Sequence, residues 1–199
     1  MSFFRFAALA LIGAALAAPP SLAQVRGTKP SGPIAVTLAN PQPAADKIKQ
    51  GLSVSYFKGL INNINEIPAD AKGKPGPPLT HLDWNVGLKN VLTSDAEDGV
   101  QAIIVGYIKL DKPGAWKFAV NSNDGVRLTI GGKKIYELPG VQPDVMSDVF
   151  EVNVAEPGWY ALNILYFEKR NTSTLQLYWA PPGTADLAIV TPAALGYVE

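Results

Sequence analysis

The chain has no cysteine and a single histidine, His81, in 199 residues. The first absence excludes disulfides, thiolate zinc sites, iron–sulfur clusters and a cysteine nucleophile together. The second excludes a histidine-rich metal centre and leaves any Ser-His-Asp triad dependent on one imidazole. His81 lies in PPLTHLDW, a Pro-rich approach to a strand, and no Gly-x-Ser-x-Gly elbow occurs anywhere, so it reads as a loop histidine. Charge is also scarce: charged residues make up 17%, balanced at 17 Lys+Arg against 17 Asp+Glu. No basic stripe exists to neutralise phosphates, and nucleic acid is not an expected partner. The apolar run at the N-terminus, Phe6 to Ala18, is 13 residues long, against about 20 for a spanning helix. No permanent membrane anchor is expected.

What is present is apolar residues (47%), aromatics (9%), 18 Gly and 17 Pro, a composition that can bury a core and turns often. Residues 1–23 carry Arg5, the apolar run, a Pro19-Pro20 break and Ser21-Leu22-Ala23, which predicts a cleaved signal peptide. Its removal leaves 16 basic against 17 acidic residues. With no Cys available for lipidation, the destination is the periplasm or the outside. Residues 24–48 are Pro-rich without a sustained period and read as a linker. From residue 49 to 199 strand-like runs follow one another, bounded by Gly, Pro, Asn and Asp. Trp116, Phe118 and Val120 alternate with Lys117; Val126, Leu128 and Ile130 alternate with Arg127 and Thr129. Phe150, Val152 and Val154 repeat the pattern, as do Leu175, Leu177 and Trp179. The expectation is all-β: a single-domain antiparallel, jelly-roll-like β-sandwich with one core face per strand.

Asp111-Lys112-Pro113-Gly114 and Ala155-Glu156-Pro157-Gly158 each place Pro then Gly before an aromatic-led strand and read as two hairpins of one design. Gly131-Gly132 reads as a two-residue hairpin, and Asn62–Pro78 as a surface loop. The four tryptophans are expected in the core, with Tyr166 and Tyr178 on exposed faces.

The succession GLSVSYFKG, LDWNVG, GYIKLDKPGAWKFAVNSNDGVRLTIGGKKIYE and EPGWYALNILYFEKRNTSTLQLYWAPPG resembles the fourteen-kilodalton protective-antigen domain family, from about Gly51 to Tyr197 and most specifically over Gly106–Ile135. The resemblance implies a β-sandwich found in toxins, in glycosidases as an accessory module, and in adhesins, where some members bind sugar through calcium. In those members the ion is held by two adjacent Asp joined by a cis peptide, an Asn beyond the opposite strand and backbone carbonyls after it. Carried onto this chain, the pair falls on Asn123-Asp124, the Asn position on Glu168, and the carbonyls near Arg170 and Thr172. Such a set suits Ca²⁺, which takes six to eight hard oxygens.

The same residues have a plainer reading, since Asn-Asp-Gly is an ordinary turn sequence and Asn at 123 removes one charge. The acidic cluster Asp95, Glu97 and Asp98 lacks EF-hand spacing and reads as a solvated loop. Two functions therefore stay open for a chain with no flagged catalytic constellation. One is an exported, non-enzymatic carbohydrate-binding module using Ca²⁺ at Asn123, Asp124 and Glu168. The other is a metal-free module that binds a protein of the cell envelope.

Overall fold

The computed structural model describes residues 27–68 and 71–199; the expected signal peptide lies outside them. In chain order the strands are β1 (Ile34–Ala35), β2 (Lys49–Gln50), β3 (Ser53–Lys58), β4 (Lys74–Pro75), β5 (Asp83–Val86), β6 (Val100–Leu110), β7 (Gly114–Asn123) and β8 (Val126–Ile130). Then come β9 (Lys133–Leu138), β10 (Val145–Met146), β11 (Phe150–Val154), β12 (Gly158–Glu168), β13 (Ser173–Ala180), β14 (Ala188–Ile189) and β15 (Leu195–Tyr197). They form two sheets. One runs β1-β11-β7-β13-β14, with β10 also on β7 and β5 on β13; the other runs β2-β15-β6-β12-β8-β9, with β3 on β6 and β4 on β3. All pairs are antiparallel except β1 with β11. Among the described residues no helix is long and apolar enough to cross a membrane.

The alternation read from the sequence sets the core. Trp116, Phe118, Val120, Val126, Leu128, Ile130, Phe150, Val152, Val154, Leu175 and Leu177 are buried between the sheets, while Lys117, Arg127 and Glu151 face outward and are half-exposed. Trp84 and Trp179 pack on the rim of this core, and Trp159 is half-exposed beneath the Lys109 ammonium. Tyr166, expected on an exposed face, is fully buried; Tyr178 is half-buried.

Three expectations are corrected. Residues 27–48 are not a free linker. Thr28 bridges Glu137, β1 extends the first sheet, and the Ala39 N–H donates to the Trp159 carbonyl at 3.0 Å. Its prolines mask a short alternation, Ile34, Val36 and Leu38, which packs on the core edge. The Pro-Gly turns, in turn, are not hairpins but arches that carry the chain from one sheet to the other, β6 to β7 and β11 to β12. Their common design is real. Lys112-Pro113-Gly114-Ala115-Trp116 and Glu156-Pro157-Gly158-Trp159-Tyr160 each fold an aromatic side chain back onto the first carbonyl, Trp116 Nε1 to Lys112 O at 2.9 Å and Tyr160 OH to Glu156 O at 2.6 Å. Turn chemistry fixes the local bend but not which sheet the next strand joins. Gly131-Gly132, with φ of 53° and 76°, is a true hairpin between β8 and β9.

Asn62–Pro78 is likewise not a plain loop. A 3₁₀ turn spans Ile64–Glu66, with the Asn63 side chain accepting from the Asn65 N–H at 3.0 Å. Ile64 in this turn and its flanking neighbours Ile61 and Ile67 bury together against Phe167, Ile103 and Leu165. This small second core braces the C-terminal end of β12, where the candidate site lies.

Candidate functional site

Two chain crossings coincide at one end of the sandwich. At Asn123–Gly125 the chain passes from β7 to β8, and just after Glu168 it passes from β12 to β13. Register places Thr174 opposite Asn123 and Tyr166 opposite Val126. The crossings are clasped by the Asp124 N–H donating to the Phe167 carbonyl at 3.2 Å and the Phe167 N–H donating to the Gly125 carbonyl at 3.0 Å. Gly125 is needed for room: a Cβ there would lie 2.2 Å from the Phe167 ring.

The Asn123–Asp124 peptide is cis. Asp124 is 3% exposed. Its Oδ1 accepts from the Gln142 N–H at 3.0 Å and its Oδ2 from the Lys169 N–H at 2.7 Å; the Gln142 side-chain amide donates to the Asp124 carbonyl. Burial raises the Asp124 carboxyl above the ordinary aspartate range, and the two backbone N–H groups and the Lys169 charge offset part of that rise. The Asn123 amide donates to Thr172 Oγ1 at 3.0 Å, and the buried Tyr166 hydroxyl donates to the Asn123 carbonyl at 2.6 Å. Burial, followed by the Glu168 and Asp124 charges, pushes that phenol well above its usual value.

Glu168 is the anomaly. It is 1% exposed, yet among the described residues neither carboxylate oxygen has a well-formed hydrogen bond. Burial first, then the charges of Asp98 and Asp124, push it up to about 7; only the Gly99 amide, whose own hydrogen bond goes to the Lys169 carbonyl, pulls the other way. Arg127 pairs with Glu137 and Asn65 rather than with Glu168. Of the five buried side-chain oxygens without a partner among the described residues, four belong to this end: both of Glu168, Gln142 Oε1 and Ser122 Oγ.

Above Asp124 opens a cleft of about 600 Å³ lined by Leu60, Asn62, Val141, Lys169, Arg170 and Asn171. Of the residues singled out by sequence, Asp124 and Arg170 therefore face the cleft, Asn123 and Thr172 bond to one another beside it, and Glu168 is enclosed. Sequence reading missed Gln142, which no motif marks, and the role of Asp98, which sat within the flagged acidic cluster. That cluster divides. Asp95 ion-pairs with Lys58 and Lys74 at 3.0 and 3.5 Å, whereas Asp98 accepts from the Asn171 N–H at 2.7 Å and charges the site. His81 stacks on Trp84, 4.5 Å between ring centroids, and accepts from the Asp83 N–H, a local loop contact. Among the described residues no three His, Cys, Asp or Glu side chains converge as a metal cluster, so an ion here would depend on amide and carbonyl oxygens as well.

Comparison with known proteins gives the fold its relatives. No curated protein sequence matches the chain. Among solved structures, the PA14 domain of the antifreeze protein MpAFP shares 18% identity at a TM-score of 0.65, over 80% of this chain and 96% of that one. The PA14 sugar-binding domain from an RTX adhesin gives 17% and 0.59, over 74% and 98%. The epithelial adhesin 9 A domain from Candida glabrata, solved with Galβ1-3GlcNAc, gives 13% and 0.63, over 84% and 97%. At these identities the likeness concerns the fold. The PA14 domain family pattern itself matches residues 90–190, just over half of the chain and including every strand of the two crossings, and the chain belongs to the PA14 domain family.

Proposed function

We propose that this protein is an exported, non-catalytic module that binds a glycan in the cleft at the Asn123–Asp124 end of the sandwich, with a calcium ion held there. The observation that carries the reading is Glu168: a buried carboxylate drawn on only by the Gly99 amide, within reach of the Asp98 and Asp124 charges, at the end of the sandwich where the cleft over Asp124 opens. A buried charge is costly unless paired or bound to a metal, and a divalent cation is the partner this end lacks. The donor set fits a hard ion: the Asp124 and Glu168 carboxylates, the Asn123 amide oxygen, whose NH₂ partner donates to Thr172 Oγ1, and carbonyls after Glu168. When bound, Ca²⁺ would present open positions to vicinal sugar hydroxyls. Arg170 and Asn171 lie where they can hydrogen-bond the rest of the sugar. Relatives with this fold include a sugar-binding adhesin domain and an adhesin domain solved with a disaccharide, which supports the choice of ligand class. Export rests on the N-terminal run Phe6–Ala18 with Arg5 before it and Ser21-Leu22-Ala23 after it.

A second reading, a metal-free surface for an envelope protein, is favoured by Asn123, whose amide already closes on Thr172 without an ion. A glycan array probed with the mature protein, in calcium and in chelator, separates the two. Calcium-dependent binding that Asp124→Asn abolishes is the expected result. Absence of glycan binding under both conditions overturns the proposal and leaves the protein-partner reading.

A further inference from the structure

We infer that the glycan taken by this cleft is anionic, bearing a carboxylate or sulfate ester that Arg170 and Lys169 receive; the inference rests on the glycan-binding reading above. The cleft walls carry two cations, and neither is ion-paired to a carboxylate among the described residues. Lys169 Nζ is held by a neutral acceptor, Asn62 Oδ1, at 2.7 Å, which fixes the ammonium at the cleft wall. Arg170 is exposed and makes no hydrogen bond or ion pair among the described residues. The contrast is with Lys58 and Lys74, which share Asp95, and with Arg127 and Lys134, which share Glu137.

The one acid that lines the cleft, Asp124, forms no ion pair with these cations among the described residues. Asp124 has each oxygen on a backbone N–H, and the Lys169 ammonium goes to Asn62 instead. A guanidinium fork free to take two oxygens of a planar carboxylate or of a sulfate, next to an immobilised ammonium, is an anion receptor. The rest of the wall suits a sugar ring rather than a free anion. Leu60 and Val141, 51% and 48% exposed, are two of the few large apolar side chains left open to solvent, and both line this cleft. They offer a surface for the C–H face of a pyranose, with Asn62 and Asn171 at hand for hydroxyls.

The test is calorimetric titration of the mature protein, in calcium, with three oligosaccharides of equal length: a galacturonate, a neutral galactoside and a 6-sulfated galactoside. An anionic series should bind about tenfold more tightly than the neutral one at low salt, the scale of one charge-assisted contact, and about 0.5 M NaCl should narrow the gap. Arg170→Gln and Lys169→Met should each bring the anionic-to-neutral affinity ratio towards one, with melting curves confirming the fold, while Lys112→Ala at the far end of the sandwich should leave the ratio unchanged. Preference for the galacturonate or for the sulfated sugar supports the inference and identifies the group. Equal affinity for all three, or a ratio indifferent to both cleft variants, overturns the inference while the glycan reading stands. Failure of every oligosaccharide to bind overturns that reading and the inference with it.

Discussion

The two ends of the sandwich solve the same topological problem in opposite ways. Each carries the chain from one sheet to the other more than once. At one end the arches are Lys112–Trp116 and Glu156–Tyr160, where Pro and Gly set the bend and an aromatic N–H or O–H caps a backbone carbonyl; neutral groups satisfy neutral groups. At the other end the crossings at Asn123–Gly125 and after Glu168 enclose carboxylates, and four buried oxygens find no partner among the described residues. An end built only to turn the chain would resemble the first. Leaving acceptors unsatisfied costs about 1–3 kcal/mol each, and it is this second end that we propose a bound cation completes.

Breaking the self-contained end should produce the largest effect. Trp116 is 1% exposed, its ring lies 5.1 Å from that of Trp179, and its indole N–H caps the arch. Trp116→Ala should cost about 3–5 kcal/mol in chemical denaturation. A loss below that of a surface substitution would mean that the arch is not anchored as described.

At the other end the sign reverses. Glu168 has its folded value raised from 4.5 to about 7, so the stability it contributes is fully present below the lower value and lost as pH rises through the higher one. Glu168→Gln in chelator should therefore match the wild type near pH 4 and exceed it at pH 8, by up to about 3 kcal/mol. Denaturation across that range reads the difference, and a variant less stable than the wild type at pH 8 would show that the carboxylate has a partner after all.

Asp124, by contrast, is already hydrogen-bonded. Asp124→Asn sets an NH₂ group against one of two backbone donors, Gln142 N–H or Lys169 N–H, and should cost about 1–3 kcal/mol without calcium. The two acids should thus respond to the same chemical change in opposite directions at pH 8, a contrast that thermal melts of both variants would reveal. The smallest effect is expected at Lys117, half-exposed on the outer side of β7. Lys117→Ala should fall within about 0.5 kcal/mol of the wild type; a cost comparable to that of Trp116→Ala would mean that the strand faces are reversed.

Much of this was legible in the residues. Period-two alternation named the inward faces of β7, β8, β11 and β13, because burial on one side of a strand leaves a mark at every second position. Asn123, Asp124 and Glu168 were reachable through the family resemblance. The arches were misread because Pro-Gly chemistry encodes a bend of a few residues, whereas sheet membership is decided by strands far apart in sequence. Ile61, Ile64 and Ile67 were missed for a related reason: they meet Phe167 across a distant strand, and they sit in a stretch dominated by Asn, Gly and Pro in which only Ile64–Glu66 forms a 3₁₀ turn. Gln142 and Asp98 could not be found from sequence. They act through a backbone N–H and a charge delivered across 18 and 70 residues of chain to Asp124 and Glu168, and no local pattern records such a meeting.

The central claim, that the unsatisfied end is completed by a cation, is tested most directly by thermal unfolding of the protein at pH 8 in calcium and in chelator, for the wild type and Glu168→Gln. The wild type should melt higher in calcium, with a gain that grows with concentration as RT ln(1 + [L]/Kd) and disappears in chelator. Glu168→Gln should melt above the wild type in chelator and gain little from calcium. A wild-type melting temperature indifferent to calcium and chelator alike would contradict the account and leave Glu168 as a buried acid that is simply protonated.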